Sequence, residues 1–263
     1  MKGRVLIIAG SDPSGGAGLQ ADIKTVTALG GYAAAAVTAL TVQNTKGVAA
    51  VHPVAPTIVR DQIVAVLDDI GADAIKIGMI AEAATAREIA QILRSRDSIP
   101  IVLDPVLVAT SGDRLAGSGV AEVIVDELAP LSALITPNAD ELAALSGEAV
   151  STFDDALKAG AALLARTGAK AALLKGGHLS GPEVVDALIG DGAPRLFGNP
   201  RINTTSLHGA GCTLASAVAA GLAQDLALSA AVARAVAFVH EAIRTAPGLG
   251  EGRGPLNHTH PIG

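Results

Sequence analysis

Short apolar runs alternate with segments of helical periodicity over most of the chain. Arg4 to Ala9, Ala35 to Val42, Ala74 to Ile77, Ile101 to Leu103, Ala133 to Thr136 and Ala171 to Leu174 are short apolar stretches, which predicts buried strands. Between them, Leu19 to Leu29, Pro56 to Asp69, Ala83 to Arg94, Gly119 to Leu128, Ala139 to Leu145 and Asp154 to Thr167 place apolar residues at the spacing of one helix face. A small-residue helix is expected over Leu214 to Ala223. A weaker pair of strands is expected at Glu183 to Ile189 and Arg195 to Asn199, separated by the turn-rich run Gly190-Asp191-Gly192-Ala193-Pro194. Strand and helix in alternation require crossover connections, and so a mainly parallel sheet with helices on both faces. No linker, low-complexity tract or internal repeat divides the sequence, so residues 1–263 are expected to form one α/β domain.

In such a sheet ligands sit beyond the carboxyl ends of the strands. The residues at those places are Ala9 to Gly18, Gln43-Asn44-Thr45, Gly78-Met79, Asp104-Pro105, Pro137-Asn138-Ala139-Asp140-Glu141 and Lys175-Gly176-Gly177-His178. The glycines of the first loop fit a relaxed dinucleotide fingerprint. No acid follows the second strand, however, and no Walker lysine follows the glycines, which argues against both nicotinamide and P-loop binding. Asp104 could cap a turn, and Asn138 with Glu141 could form an ordinary helix cap. The same three residues also supply the oxygen ligands that a hydrated Mg²⁺ prefers. Lys175, directly after an apolar strand, would be a costly charge without a partner, and a phosphate would supply one.

Cys212 follows the turn Gly209-Ala210-Gly211 at the start of a helix. A lone cysteine is usually a small buried apolar residue. Here the first N–H groups of the helix and its dipole favour negative charge, either a thiolate or a phosphoryl oxygen. His208 reads as a structural hydrogen bonder, and His258 and His260 as parts of a mobile tail without a metal site.

Composition narrows the class. Half the residues are apolar, yet no run reaches the roughly 18 to 20 residues of a membrane span. The start, Met1-Lys2-Gly3-Arg4, lacks the pattern of a secretory signal. One cysteine agrees with a reducing cytoplasm. A net charge of -6 and an aromatic content of 2% argue against nucleic acid as a partner.

Taken together, Ala9 to Lys24, Thr38 to Thr45, Lys76 to Met79, Val102 to Val106, Leu134 to Asn138, Leu174 to His178, His208 to Thr213 and Gly252-Arg253-Gly254-Pro255-Leu256-Asn257-His258 resemble the hydroxymethylpyrimidine/phosphomethylpyrimidine kinases of thiamine biosynthesis. The resemblance runs essentially the full length of the chain. It implies a ribokinase-like three-layer α/β/α sandwich, a cytoplasmic homodimer, and two successive ATP-dependent phosphorylations, first of 4-amino-5-hydroxymethyl-2-methylpyrimidine and then of its monophosphate. It implies an anion hole from Gly209, Ala210, Gly211 and Cys212, with Cys212 accepting the alcohol proton. Lys175, Asp104 and Thr205 would bind ATP, and Asp104, Asn138 and Glu141 would organise Mg²⁺. Gln43, Asp22, Gly10, Met79 and Val106 would form the pyrimidine pocket. Ala210, Ser206-Leu207 and Thr110 depart from the family pattern. A pyridoxal or pyridoxine kinase of the same fold, or a non-catalytic pyrimidine-binding protein, is the alternative.

Overall fold

The structure, a computed structural model, describes residues 2–109, 111–113, 115–178 and 181–260. Thr110 therefore lies outside the described residues. The chain begins with β1 (Arg4–Ser11), α1 (Gly18–Ala28), β2 (Tyr32–Asn44), β3 (Gly47–Pro53), α2 (Pro56–Asp69), β4 (Ala74–Ile77), α3 (Ala83–Leu93) and β5 (Ile101–Leu103). It continues with α4 (Val120–Val123), β6 (Leu134–Ile135), α5 (Ala139–Ser146), α6 (Phe153–Thr167) and β7 (Ala172–Leu174), then β8 (Glu183–Ile189), β9 (Arg195–Pro200), α7 (Ala210–Ala223) and α8 (Leu228–Arg244). The nine strands form one sheet in the order β3-β2-β1-β4-β5-β6-β7-β8-β9. The pairs from β2 through β7 are parallel, while β3 and the β8–β9 hairpin are antiparallel additions at the two edges.

Side chains alternate along each strand, so β1 feeds both layers of the core. Leu6 and Ile8 pack with Val59 and Ile63 of α2 and with Ile89 and Leu93 of α3. Val5 and Ile7 face the other way, against Leu19 and Val26 of α1, Val218 of α7 and Val232 of α8. Each such large aliphatic side chain contributes about 1.5–3 kcal/mol by leaving water. Helix α7 is apolar around most of its circumference, and ten of its residues are buried, as expected of a helix enclosed by a sheet and other helices.

Three elements differ from the sequence-based expectation. β2 runs from Tyr32 to Asn44 and turns back into β3, which was not anticipated. The turn is signalled only by Asn44, whose side chain accepts from the Lys46 N–H at 2.9 Å. α8 was not anticipated either, although its buried residues Ala231, Val232, Ala235, Val236, Phe238 and Ala242 recur at helical spacing. The helix expected over Gly119 to Leu128 is α-helical only through Val123 and continues as a π-helical segment, Ile124–Leu128, ahead of Pro130. The His258 expectation is also corrected. That residue is buried and its Nε2 lies 2.9 Å from Thr213 Oγ1 on α7, while the His260 ring packs on Phe238, so this stretch is fastened to the fold.

Candidate active site

α7 begins at Ala210, four residues earlier than expected, which places Cys212 inside the first helical turn. Gly209 caps it with φ 84, and a Cβ at this position would lie 1.9 Å from Gly16 O. Only glycine lets the helix start close against the first loop. The Ala210 N–H is occupied by Leu207 O at 3.2 Å. The N–H groups of Gly211 and Cys212 have no partner among the described residues, so the anion-binding part of the turn is narrower than expected.

The sheet brings Asp104, after β5, and Lys175, after β7, directly over this turn. Lys175 Nζ lies 3.0 Å from Asp104 Oδ1 and 3.6 Å from Glu141 Oε2. It is also 3.2 Å from where a Cβ on Gly211 would be. Burial works to lower the Lys175 pKa, but the Asp104 and Glu141 carboxylates hold it above its ordinary value, so the ammonium is fixed as a cation. Burial works to raise Asp104, and Lys175 and Lys76 together hold it below the usual carboxylate range. Burial pushes Glu141 up to about 7, opposed by Lys175 and reinforced by Asp104.

Asn138 and Glu141 form the capping box of α5. The Asn138 side chain accepts from the Glu141 N–H at 2.9 Å, and Glu141 Oε2 accepts from the Asn138 N–H at 2.8 Å. The side-chain oxygen of Asn138 is therefore committed to the helix start, contrary to its expected role as a metal ligand. Among the described residues no cluster of three or more His, Cys, Asp or Glu is arranged to hold a metal ion directly. The second oxygens of Asp104 and Glu141 suit a cation held partly through water.

The sequence left the protonation of Cys212 open, and burial decides it. Burial pushes Cys212 up to about 12, with Asp22 and Asp104 adding to the push and the Lys76 cation and the Gly18 N–H opposing it. At pH 8 its thiolate fraction is then about a thousandfold below that of a free cysteine. Alkylation by iodoacetamide, followed by mass spectrometry, should be slower than for free cysteine by a similar factor and should accelerate about tenfold per pH unit. Rapid alkylation at neutral pH would show that the helix start, rather than burial, sets the state of the thiol.

A cavity of about 640 Å³ joins these groups to a second set along β1 and β2. Gly10, Met79 and Val106 line it, and a Cβ on Gly10 would lie 2.7 Å from Met79 Sδ. Asp12 accepts from the Ser14 hydroxyl at 2.8 Å and lies 2.8 Å from His208 Nε2. Burial works to raise Asp12, but hydrogen bonds from His208, Ser14 and Ala17 hold it below its ordinary value. An ionised Asp12 can only accept, which places a hydrogen on His208 Nε2. Gln43 lies within β2 rather than after it, with its Nε2 3.4 Å from that same ring nitrogen. The Gln43 amide lines the cavity, and its carbonyl oxygen accepts from Thr41 Oγ1 at 3.2 Å.

Two expected site residues do not line the cavity. Asp22 is fully buried beneath it, 2.7 Å from Lys76 Nζ, and accepts from Ser216 Oγ at 2.7 Å. Lys76, equally buried, belongs to a motif of the family resemblance, but its role was not legible because its partner lies 54 residues away. Thr205 sits in the loop before α7, and its carbonyl accepts from the Leu207 N–H.

Unpaired helix N–H groups, a permanent cation and carboxylates at the carboxyl edge of a parallel sheet are the parts that phosphoryl transfer uses, and the class of protein they define is a small-molecule kinase. The phosphomethylpyrimidine kinase family model matches residues 12–257. The chain is 47% identical over 258 residues to the hydroxymethylpyrimidine/phosphomethylpyrimidine kinase of Rhizobium meliloti, covering 97% of this chain and 96% of that protein. It is 46% identical to the thiamine biosynthesis bifunctional protein ThiED of Geobacter sulfurreducens, covering 98% of this chain but only 52% of that longer protein. Among solved structures, the ADP complex of Bacillus subtilis pyridoxal kinase superposes with a TM-score of 0.91 at 32% identity, covering 98% of both chains. The chain belongs to the phosphomethylpyrimidine kinase family, and its sandwich is ribokinase-like.

Proposed function

We propose that the protein transfers the γ-phosphoryl group of ATP to the hydroxymethyl group of 4-amino-5-hydroxymethyl-2-methylpyrimidine, and then a second phosphoryl group to the resulting monophosphate, in thiamine biosynthesis. It would act in the cytoplasm as one domain per chain and as a homodimer. The exposed apolar side chains Leu40 and Val42 on β2 support the dimer, and light scattering tests it. No helix among the described residues is long and apolar enough to cross a membrane.

The observation that carries the reading is the placement of the Gln43 amide in the same cavity as Cys212 and Lys175. An amide N–H₂ beside its own carbonyl matches a ring nitrogen and the adjacent exocyclic amine of an aminopyrimidine. Gly10, Met79 and Val106 would pack against the ring. The N–H groups of Gly211 and Cys212, with Lys175, would hold the transferring phosphoryl group and the ATP phosphates, and Cys212 would take the alcohol proton. Asp104 and Glu141 would hold Mg²⁺ through water, and that ion would neutralise phosphate charge.

A pyridoxal kinase activity is the second reading, favoured by the structural likeness to the Bacillus subtilis enzyme. Gln43→Leu separates the two. It should cost the pyrimidine alcohol about ten- to a hundredfold in kcat/KM, a loss of roughly 1–3 kcal/mol, and narrow the gap to pyridoxine. Equal losses on both alcohols, or a wild type that prefers pyridoxine, would favour the vitamin B6 reading.

A further inference from the structure

The run after α8 carries glycine at 248, 250, 252 and 254. It crosses the tip of the β2–β3 hairpin on its way to the start of α7. The Arg253 N–H donates to Thr45 O at 2.8 Å, and Gly254 O accepts from the His208 N–H at 3.1 Å. A Cβ on Gly252 would lie 2.2 Å from Thr45 O, and one on Gly254 would lie 2.8 Å from Ser206 Oγ. A side chain at 252 would push the strap off the Thr45 backbone, and one at 254 would displace the Ser206 hydroxyl. Arg253 is thus the single side chain of Gly252-Arg253-Gly254, held between the hairpin tip and the residue that precedes Gly209.

Its guanidinium is exposed, lines the cavity, and has no hydrogen-bond or ion-pair partner among the described residues. The neighbouring acid, Glu251, is already paired with Lys46. A fork of donors on a fastened backbone, in the same cavity as the turn and without a protein anion to meet, is suited to an anionic ligand.

We propose that Arg253 is a specificity-determining residue that holds the phosphate of the second acceptor, the pyrimidine monophosphate. The inference rests on the two-acceptor reading above. The alcohol is neutral and has nothing for Arg253 to grip, whereas the monophosphate brings up to two negative charges toward the ATP phosphates, and that repulsion must be offset. In the second transfer a non-bridging oxygen of the monophosphate forms a bond to the γ-phosphorus of ATP. The bond from that phosphorus to the β,γ-bridging oxygen breaks, and its electron pair leaves with ADP. Arg253 pairs with the remaining non-bridging oxygens and takes no proton.

The test is steady-state kinetics of wild type, Arg253→Ala, Arg253→Lys and the control Lys46→Ala with each acceptor, together with calorimetric binding of the monophosphate in the absence of ATP. Arg253→Ala should lower kcat/KM for the monophosphate by roughly ten- to a hundredfold, mainly through KM, and weaken its binding in proportion. The alcohol should change by less than about threefold, Arg253→Lys should recover part of the loss, and Lys46→Ala should affect neither acceptor. Equal losses on both acceptors, or no loss on the monophosphate, would overturn the role of Arg253 alone. A wild type that converts neither acceptor would overturn the functional reading, and the inference with it.

Discussion

Replacing Cys212 with alanine should slow phosphorylation of the pyrimidine alcohol by about a hundredfold or more and change that of the monophosphate by less than about threefold. The asymmetry follows from the acceptors. An alcohol must lose a proton as it attacks, and in the proposed mechanism Cys212, which lines the cavity in the first turn of α7, would receive it. A phosphate monoester is already anionic near neutral pH and has no such proton to lose. Because burial holds the thiol up to about 12, the alcohol reaction should accelerate about tenfold per pH unit through the neutral range in wild type and lose that slope in Cys212→Ala. The monophosphate reaction should not share the slope. Equal losses on both acceptors would make Cys212 a packing residue of the turn.

Lys175→Met should act without regard to the acceptor. The ammonium lies 3.0 Å from Asp104 and 3.6 Å from Glu141, and both proposed transfers would pass the same ATP phosphates over it. Losing that charge should cost each acceptor about a thousandfold or more in kcat/KM, roughly 4 kcal/mol. The substitution also leaves two buried carboxylates short of a partner, which typically costs about 3–5 kcal/mol of stability. The pH dependence of that deficit has a definite sign. In wild type Asp104 is held below its ordinary 3.8, which contributes stability above that pH and loses it as pH falls through the folded value. Without Lys175 the buried carboxyls bind protons more tightly in the folded state, so the penalty grows as pH rises. Urea unfolding should therefore show a larger deficit at pH 7 than at pH 4, and a deficit independent of pH would contradict this electrostatic account.

The sequence disclosed the parallel core because its strands are buried on both faces and read as short, mainly apolar runs. Ala74–Ile77 and Ile101–Leu103 have the expected limits. It disclosed less at the margins. β3 pairs at an edge and needs no apolar run, whereas the buried residues of α8 do recur at helical spacing and the helix was open to a sequence reading. At the site, residues that follow strands were legible from position alone, and Asp104, Lys175 and Glu141 do meet there. What position could not convey was pairing. Asp22 faces Lys76 beneath the cavity, the Asn138 side chain caps α5, and Arg253 reaches the cavity only because the strap docks on Thr45 and His208. Cys212 shows the limit of a local rule. A helix N-terminus favours a thiolate, but burial beside Asp22 and Asp104 reverses the preference, and neither carboxylate is its sequence neighbour.

The most direct test of the whole account is phosphorus NMR of wild-type protein with ATP and 4-amino-5-hydroxymethyl-2-methylpyrimidine, with pyridoxal in a parallel sample. The account predicts a phosphate monoester signal that gives way to the paired signals of a diphosphate as ADP accumulates, with much slower transfer to pyridoxal. Rapid transfer to pyridoxal with no diphosphate from the pyrimidine, or release of inorganic phosphate alone, would contradict it.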